Sequence, residues 1–270
     1  MTDRYAVIGN PIAHSKSPLI HAAFARQTHQ DLQYEAILAP LDGFSDTVDS
    51  FRQQGGKGMN VTVPFKLEAH RYATELTERA EIAQAVNTLK FEDNRILGDN
   101  TDGAGLVRDI TLNLNCPVTG KRILLMGAGG AARGVILPLL QQQPAKFAIA
   151  NRTPQKARDL SQQFAAYGQI ETGDFMGFSG QSFDIVINAT AASLNDDLPE
   201  LPAGIFAPDA LAYDMMYSTV RTRFLQHAAQ QGVQQLADGI GMLVEQAAES
   251  FYLWRNIRPD TQAIISRLKS

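Results

Sequence analysis

A glycine-rich turn in the middle of the chain has the residue spacing that binding of a dinucleotide requires. The turn Gly127-Ala-Gly-Gly-Ala-Ala132 follows the apolar run Arg122–Met126, and residues 133–140 are predicted to be helical. In such a unit the first glycine permits a tight turn, the second lets the backbone approach a pyrophosphate, and a small third residue allows close helix packing. The free N–H groups of the helix then face the phosphates. The pattern predicts a dinucleotide site, with a purely structural glycine turn as the alternative.

The residues after the next strand indicate which dinucleotide binds. The apolar run Lys146–Ala150 is followed by Asn151-Arg152-Thr153, with Lys156 one turn later. Enzymes that use NAD usually have an Asp or Glu here for the ribose 2′-hydroxyl group. A guanidinium instead matches a phosphate, which a carboxylate would repel. We therefore predict NADP(H) over NAD(H), the alternative being that Arg152 only faces solvent.

A lysine and an aspartate are candidates for moving a proton. A helix is predicted to begin at Pro64, directly after the alternating segment Met59-Asn-Val-Thr-Val63, and Lys66 lies in its first turn. Asp102 lies in the first turn of another predicted helix, after Thr101, a plausible N-cap. Both side-chain types can act as general acids or bases. Each also has a simpler explanation, because most lysines are solvated and an acid in a first turn complements the helix dipole.

Two serines near the start of the chain could bind an anion. Ser15 and Ser17 flank the beginning of a helix that is predicted over residues 18–27. Hydroxyl groups beside a helix N-terminus can hold a carboxylate. The alternative is that one of the two serines is only the N-cap of that helix.

Composition and charge exclude several classes of function. The chain has 270 residues, of which 44% are hydrophobic, and a formal net charge of −4. We therefore expect a globular protein without a basic face for nucleic acid. Cys116 is the only cysteine, which excludes an intramolecular disulfide and a cysteine-rich metal site. The sequence shows no signal-peptide core and no membrane-spanning run. We expect a cytoplasmic protein with no membrane partner and no bound metal.

Alternating strands and helices must position these candidate residues. Strand-like runs such as Leu32–Leu38 and Phe183–Asn188 alternate with helix-like segments along the chain, which predicts an α/β fold. A long helix is predicted over residues 242–254. Gln246 is a polar residue close to its apolar stripe, and it is either paired in the core or directed into a cleft. The stripe consists of Leu243, Ala247, Phe251 and Trp254.

Nine segments of the chain, taken together, resemble the shikimate dehydrogenase family in its NADP-dependent biosynthetic form. They occur in the family's order and span nearly the whole sequence, which makes them far more specific than any one alone. The segments are Gly9-Asn-Pro-Ile-Ala-His-Ser-Lys-Ser-Pro18, Asn60-Val-Thr-Val-Pro-Phe-Lys66, Ala85-Val-Asn-Thr88, Gly98-Asp-Asn-Thr-Asp-Gly103, Gly127-Ala-Gly-Gly-Ala131, Asn151-Arg-Thr153, Asn188-Ala-Thr190, Asp214-Met-Met-Tyr217 and Asp238-Gly-Ile-Gly-Met-Leu243.

The resemblance implies two α/β domains that flank a cleft. A discontinuous domain of residues 1–101 and 238–270 would bind the substrate and carry out catalysis. A Rossmann-type domain of residues 102–237 would bind NADP. The implied reaction is the reversible reduction of 3-dehydroshikimate to shikimate with NADP(H), a step of the shikimate pathway to the aromatic amino acids.

The resemblance also implies roles for individual residues on the substrate side. The substrate carboxylate would bind Ser15 and Ser17, with Tyr217 nearby. Lys66 and Asp102 would share the reacting hydroxyl group, and Lys66 would pass the proton. The residues implied to meet the ring hydroxyl groups are Thr62, Lys66, Asn87, Asp102 and Gln246, with Asn60 and Thr101 in supporting positions.

The cofactor side follows from the same resemblance. Its implied contacts are Gly127, Ala128, Gly129, Gly130, Ala131, Asn151, Arg152, Thr153, Lys156, Met215 and Gly239, with Glu78 as a further position near the cofactor. The chain departs from the family at two places. Ala191-Ala-Ser193 follows Asn-Ala-Thr where relatives often have serine or glycine, and Thr219 and Arg223 stand where family members often have prolines. We expect these changes to affect loop shape and cofactor affinity more than the chemistry.

Two alternative functions remain open at the level of sequence. One is a quinate/shikimate dehydrogenase with relaxed substrate choice, against which Ser17 argues, because some quinate-using relatives have glycine there. The other is a metabolite sensor without catalytic activity, against which the presence of both Lys66 and Asp102 argues. The sequence is compatible with a monomer or a homodimer.

Overall fold

The chain folds into two compact units, and the computed structural model describes residues 2–190 and 198–269. One unit consists of Met1–Gly105 and Leu243–Ser270, and the other of Leu106–Met242. The sequence predicted a change of domain after residues 101 and 237, whereas the units divide after Gly105 and Met242. The first turn of the helix that begins at Asp102 therefore belongs to the first unit.

The elements alternate along the chain as the sequence pattern predicted. The strands are β1 (Asp3–Gly9), β2 (Leu32–Leu38), β3 (Gly56–Val61), β4 (Glu75–Leu76), β5 (Thr88–Glu92), β6 (Arg95–Asp99), β7 (Arg122–Met126), β8 (Lys146–Ala150), β9 (Glu171–Gly173), β10 (Phe183–Asn188), β11 (Phe206–Asp214) and β12 (Gln235–Ala237). The α-helices are α1 (Ser17–Gln27), α2 (Phe44–Gln53), α3 (Lys66–Tyr72), α4 (Glu78–Ala83), α5 (Asp102–Arg108), α6 (Gly130–Gln141), α7 (Pro154–Gln163), α8 (Arg223–Gln230), α9 (Ile240–Arg255) and α10 (Gln262–Lys269).

The first unit is built on a mixed sheet with the strand order β2-β1-β3-β5-β6-β4. Strand β1 is parallel to β2 and β3, whereas β5 is antiparallel to β3 and β6. The central strand β1 is apolar on both faces, as is typical of a strand covered on both sides. One core cluster includes Ile8, Phe44 and Met59. Another joins α1, α9 and α10 through residues such as Phe24 and Phe251.

The second unit is a doubly wound parallel sheet with the strand order β9-β8-β7-β10-β11-β12. All of its strand pairs are parallel. Counted within the unit, this is the Rossmann order 3-2-1-4-5-6, in which the strand order reverses between the first and fourth strands. Ligands of such sheets bind outside the carboxyl ends of the strands at this switch point. The fold class predicted from the sequence is confirmed.

Some element boundaries differ from the prediction. The helix after the glycine turn begins at Gly130, three residues earlier than the predicted start at residue 133. The helix predicted from Asp102 to about residue 113 ends at Arg108 and continues as a π-helical turn over Asp109–Asn113. Thr101 directs its hydroxyl group to Asn87, Ser250 and Gln246, and so does not act as the predicted side-chain cap.

No helix within residues 2–190 and 198–269 has the length and apolar character needed to cross a bilayer. In the same described part of the chain, no group of three or more His, Cys, Asp or Glu side chains is placed to hold a metal ion.

Candidate functional site

Neighbouring strand ends bring the predicted substrate residues of the first unit to one edge of its sheet. The strands β1 and β3 are parallel neighbours, and beyond them the amide of Asn10 donates to the carbonyl of Val63 over 3.0 Å. Asn87 joins this edge because its carbonyl accepts the amide of Val61 over 2.7 Å. The loops that contain the serines and the lysine therefore leave the sheet side by side.

Lys66 and Asp102 form an ion pair at this edge. The Nζ atom of Lys66 lies 2.5 Å from Oδ2 of Asp102, and the two side chains are 20% and 8% exposed. A pair with this burial is screened less by water than a surface pair. The alternative explanations, a solvated lysine and an acid that only complements a helix dipole, do not account for the contact.

Asn87 holds the other oxygen of the Asp102 carboxylate. Its Nδ2 atom donates to Asp102 Oδ1 over 2.8 Å, and Asn87 is only 3% exposed. Gln246 Oε1 lies 3.4 Å from the same Nδ2 atom, and Gln246 Nε2 donates to the carbonyl of Leu243 over 2.8 Å. Gln246 is therefore paired with protein groups. The carboxylate receives an ammonium on one oxygen and an amide on the other, which fixes its orientation.

The two serines lie at the start of α1. The N-cap position is Lys16, which makes no side-chain cap, while Ser15 Oγ accepts the amide of Ser17 over 3.3 Å. Ser17 is 7% exposed. Neither serine is the N-cap of α1, so the alternative that one of them serves only as a cap is wrong. Thr62 follows β3 at the same edge, where its amide donates to the carbonyl of Ile8 over 3.0 Å.

A buried acid that the sequence analysis did not assign holds the turn before Asp102. Asp99 is 1% exposed, and its carboxylate accepts from Nε and Nη2 of Arg79 over 2.7 and 2.5 Å and from the amide of Asn100 over 2.7 Å. The side-chain oxygen of Asn100 in turn accepts the amide of Asp102 over 3.2 Å. Arg79 also bonds Glu249 on α9 over 3.2 Å. This buried bidentate pair fixes the turn that presents Asp102.

In the second unit, the glycine turn has the geometry that its spacing predicts. Gly127 has a φ of +108°, and a Cβ there would lie 3.0 Å from the carbonyl oxygen of Ala189, so only glycine fits. A Cβ at Gly129 or Gly130 would meet no atom of residues 2–190 and 198–269 within 4 Å. Packing within the described part of the chain therefore does not require glycine at these two positions, whereas close approach of a ligand to the backbone would. Ala132 is fully buried on α6, as its predicted packing role requires.

The residues after β8 present two exposed cations. Strand β8 is the parallel neighbour of β7, so the turns that follow the two strands lie at one edge of the sheet. Arg152 and Lys156 are exposed, and within residues 2–190 and 198–269 neither side chain has an ion-pair or hydrogen-bond partner. The turn is shaped by Asn151, whose Nδ2 donates to the carbonyl of Thr153 over 2.9 Å. Arg158, by contrast, is bonded within α7 to a glutamine side chain.

The remaining predicted cofactor residues of this unit, Met215 and Gly239, follow β11 and β12. The amide of Met215 donates to the carbonyl of Asn188 over 2.9 Å. A Cβ on Gly239 would lie 2.2 Å from the carbonyl oxygen of Met215, so these two residues are in close backbone contact. Tyr217 follows in the same loop and is half-buried, and burial raises the pKa of its hydroxyl group.

The remaining predicted positions are Glu78 and the two places where the chain departs from the family. Glu78 is the first residue of α4 and is exposed. It belongs to the first unit and not to the unit of the glycine turn. The segment Ala191-Ala-Ser193 lies outside the described residues. Thr219 is exposed, and Arg223 is the first residue of α8.

Models of known protein families match most of the chain. One described as the shikimate dehydrogenase substrate binding domain matches residues 7–89. One described as shikimate/quinate 5-dehydrogenase matches residues 111–195, and one described as the shikimate 5′-dehydrogenase C-terminal domain matches residues 239–269.

Similarity to individual proteins extends over the full length. A protein of Nitrosospira multiformis named shikimate dehydrogenase (NADP(+)) is 66% identical, covering 100% of this chain and 98% of the relative. The crystal structure of an Ael1 enzyme from Pseudomonas putida is 52% identical with a TM-score of 0.95, covering 100% of this chain and 99% of the other. Shikimate 5-dehydrogenase from Thermus thermophilus, solved in complex with NADP(H) and shikimate, is 30% identical with a TM-score of 0.88 and full coverage of both chains. With this identity over its whole length, the chain belongs to the shikimate dehydrogenase family.

Proposed function

We propose that this chain is an oxidoreductase that interconverts 3-dehydroshikimate and shikimate with NADP(H), in the pathway to the aromatic amino acids. The observation that carries the proposal is the ion pair of Lys66 and Asp102, which lies among the residues predicted to bind substrate. The names of the full-length relatives support the choice of substrate and cofactor, as does the neighbour solved with NADP(H) and shikimate.

Lys66 moves the proton at the reacting oxygen of the substrate. Reduction of a ketone adds a hydride to carbon and a proton to oxygen, so the protein must supply the proton. The ammonium of Lys66 donates it during reduction, and the amine accepts it during oxidation. Asp102 holds Lys66 in place through Oδ2 and stays oriented because Asn87 donates to Oδ1.

The rest of the first unit holds the substrate. The hydroxyl groups of Ser15 and Ser17, at the N-terminus of α1, bind the substrate carboxylate. Thr62, Asn87 and Gln246 bind ring hydroxyl groups. The family resemblance also implies a role for Tyr217 near the carboxylate, and burial raises the pKa of its hydroxyl group.

The second unit fits a phosphorylated dinucleotide. The space that the described residues leave around a Cβ at Gly129 and Gly130 suits a pyrophosphate against the backbone at the N-terminus of α6. Arg152 and Lys156 provide positive charge for a 2′-phosphate, in a turn where Asn151 and the two following residues contain no acid. When bound, NADP(H) supplies or accepts the hydride.

Initial rates with four substrate and cofactor pairs test this proposal. Shikimate and quinate are each assayed with NADP and with NAD, and we expect the highest kcat/KM for shikimate with NADP. A higher kcat/KM with quinate would replace the proposal with a quinate/shikimate dehydrogenase. If no pair turns over and calorimetry shows tight shikimate binding, a sensor without catalytic activity becomes the better assignment.

The location and assembly of the protein are part of the proposal. A biosynthetic enzyme that uses NADP(H) is expected in the cytoplasm, and fractionation of the source cells tests this. The chain has a mass of 29.5 kDa, so light scattering during size-exclusion chromatography distinguishes a monomer from a homodimer.

A further inference from the structure

Thr88 directly follows Asn87 in the chain and has no role in the proposed function. It is the first residue of β5 and is 0% exposed. Its hydroxyl oxygen lies 2.9 Å from Asn87 Oδ1, 3.1 Å from Asn60 Nδ2 and 2.8 Å from Ser250 Oγ. With Thr101 Oγ1 at 3.5 Å as a fourth polar neighbour, this buried hydroxyl group is part of a hydrogen-bond network.

The direction of the bond from Thr88 to Asn87 follows from a backbone group. The amide of Thr101, which can only donate, lies 2.8 Å from Asn87 Oδ1. That atom is therefore the side-chain oxygen, and Nδ2 of Asn87 must face Asp102. Because the oxygen only accepts, the hydroxyl group of Thr88 is the donor in its 2.9 Å contact with Asn87, and Ser250 Oγ, 2.8 Å away, is a second acceptor for the same proton.

The other side of the network is assigned in the same way. Ser250 donates to the backbone carbonyl of Gln246 over 3.0 Å, which uses its only proton. Asn60 Nδ2 therefore supplies the hydrogens for Ser250 Oγ at 2.9 Å and for Thr88 Oγ1 at 3.1 Å, and the carbonyl oxygen of Asn87 lies 3.3 Å from the same atom. Asn60 Oδ1 accepts from Tyr34 over 2.7 Å, and burial raises the pKa of Tyr34, which keeps it a neutral donor.

The result is one chain of donors that runs in a single direction from Tyr34 through Asn60, Thr88 and Asn87 to Asp102. We propose that Thr88 is a positioning residue for the proton step, because its hydroxyl group holds the Asn87 amide with its NH2 group on Asp102. The inference rests on the proposed function. Thr88 acts only through Asn87 and has no contact with Lys66 or Asp102 in the described structure.

Loss of this hydroxyl group has a defined consequence. Asn60 Nδ2 would face a methyl group and lose an acceptor, while Asn87 Oδ1 would lose one of its donors. Asn60 Nδ2 would keep Ser250 Oγ and the Asn87 carbonyl as acceptors, whereas the side-chain oxygen of Asn87 would be held by Thr101 alone. The orientation of the Asp102 carboxylate would loosen, which affects the proton step more than substrate binding.

Three variants test the proposal with shikimate and NADP. Thr88→Val keeps the shape and removes the hydroxyl group, and we expect kcat to fall about tenfold with KM values within about threefold of wild type. Thr88→Ser restores the hydroxyl group and should return kcat to within about twofold of wild type. Ser250→Ala is the matched control, because it also takes an acceptor from Asn60 but leaves the bond from Thr88 to Asn87 in place, and its kcat should stay within about twofold of wild type.

A fourth measurement shows whether the effect passes through Asp102. In an Asp102→Asn background, Thr88→Val should lower kcat by no more than about twofold further, because the group that Thr88 positions is already changed. A further loss of about tenfold would overturn the proposal. If circular dichroism shows that Thr88→Val does not fold, Thr88→Ala is measured in its place with the same expectations.

The remaining outcomes separate this inference from the proposed function. Wild-type kcat in Thr88→Val, or equal losses in Thr88→Val, Thr88→Ser and Ser250→Ala, would leave Thr88 with a packing role only. Those results would leave the proposed function standing. If the wild-type protein turns over neither shikimate nor quinate, the proposed function itself fails.

Discussion

The candidate sites of the two units differ in whether their polar side chains are already bonded to other protein groups. In the first unit the polar side chains are bonded to each other, since Lys66 and Asn87 each hold one oxygen of a mostly buried Asp102. In the second unit the glycine turn carries almost no side-chain atoms, and Arg152 and Lys156 are exposed. Neither of these cations has a partner in residues 2–190 and 198–269.

This difference matches the two tasks. Proton transfer depends on the position of a few atoms, and misplacement by about 1 Å can cost about 100-fold in rate, so the groups that perform it must be held by the protein. A dinucleotide brings its own phosphates, which supply the charge that an exposed arginine needs. The polar side chains of the first site are therefore held in place by the folded protein, whereas the exposed cations of the second site are expected to gain their partner when the cofactor binds.

Asp102→Asn tests whether the pairing in the first unit is required. The amide cannot hold the ammonium of Lys66 by charge, so we expect kcat for shikimate oxidation to fall about 10²- to 10⁴-fold with smaller changes in KM. Asp93→Asn is the control, because Asp93 is an exposed acid in the turn between β5 and β6. A kcat for Asp102→Asn equal to that of the control would show that the pairing is not needed.

Gly129→Val tests whether the glycine turn of the second unit lacks side chains because a ligand approaches its backbone. A Cβ there meets no atom of the described residues within 4 Å, so we expect the melting temperature to stay unchanged. The KM values for NADP and NAD should both rise about 100-fold, because the side chain would displace the pyrophosphate.

Gly127→Val is the matched variant for this turn. It should lower stability by about 1–3 kcal/mol, because its φ is +108° and the new side chain would approach the carbonyl of Ala189. If Gly129→Val lowered the melting temperature in the same way and left both KM values unchanged, the turn would be structural only.

Arg152→Ala tests whether the exposed cations recognise the 2′-phosphate. A charge-assisted contact of this kind contributes about 1.5–3 kcal/mol, so we expect the KM for NADP to rise about 10- to 100-fold while that for NAD changes little. Arg158→Ala should have little effect on either, since Arg158 is bonded to Gln155 within α7. Equal increases in both KM values for Arg152→Ala would show that this residue does not distinguish the cofactors.

The two units also differ in how their stability depends on pH. In the first unit, burial lowers the pKa of His21 to about 3, against about 6.5 when unfolded. The unfolded state then binds a proton that the folded state excludes, so stability falls as the pH drops from about 6.5, by about 2 kcal/mol at pH 5. In the second unit, a hydrogen bond from Arg122 lowers the pKa of Asp184. The stability that this bond contributes is lost only as the pH falls below about 3.9, the pKa of an aspartate in the unfolded chain.

Urea unfolding at pH 7 and pH 5 measures this difference. His21→Phe, which keeps a ring against Tyr34 (4.2 Å between centroids in the wild type), should reduce the loss of stability between the two pH values by about 2 kcal/mol. Asp184→Asn should leave that loss unchanged. An unchanged loss in His21→Phe would mean that His21 does not govern the pH dependence.

The second unit could be predicted from the sequence because its signals are contiguous. The strands Arg122–Met126 and Lys146–Ala150 have the predicted bounds, and the turn between strand and helix is encoded by a few adjacent residues. The Rossmann strand order follows from repeated strand–helix units. The sequence could not show where α5 passes from one unit to the other, because that depends on which contacts the first helical turn makes.

The support of the first site could not be predicted, because it depends on pairs that are far apart in the chain. Arg79 and Asp99 are 20 residues apart, and Thr88 and Ser250 are 162 apart. One signal was present, since Ser250 lies four residues after Gln246 and so on the same face of α9. The roles assigned to Ser15, Ser17, Lys66 and the other site residues remain predictions until they are tested.

The most direct test of the central claim is the chemical step of Lys66→Ala in a single turnover. Enzyme with bound shikimate is mixed with NADP, and formation of NADPH is followed by its absorbance, after the Kd of each ligand has been measured. We predict that hydride transfer slows by about 100-fold or more while both Kd values stay within about tenfold of wild type. A rate close to that of wild type with both ligands bound would contradict the claim that Lys66 moves the proton.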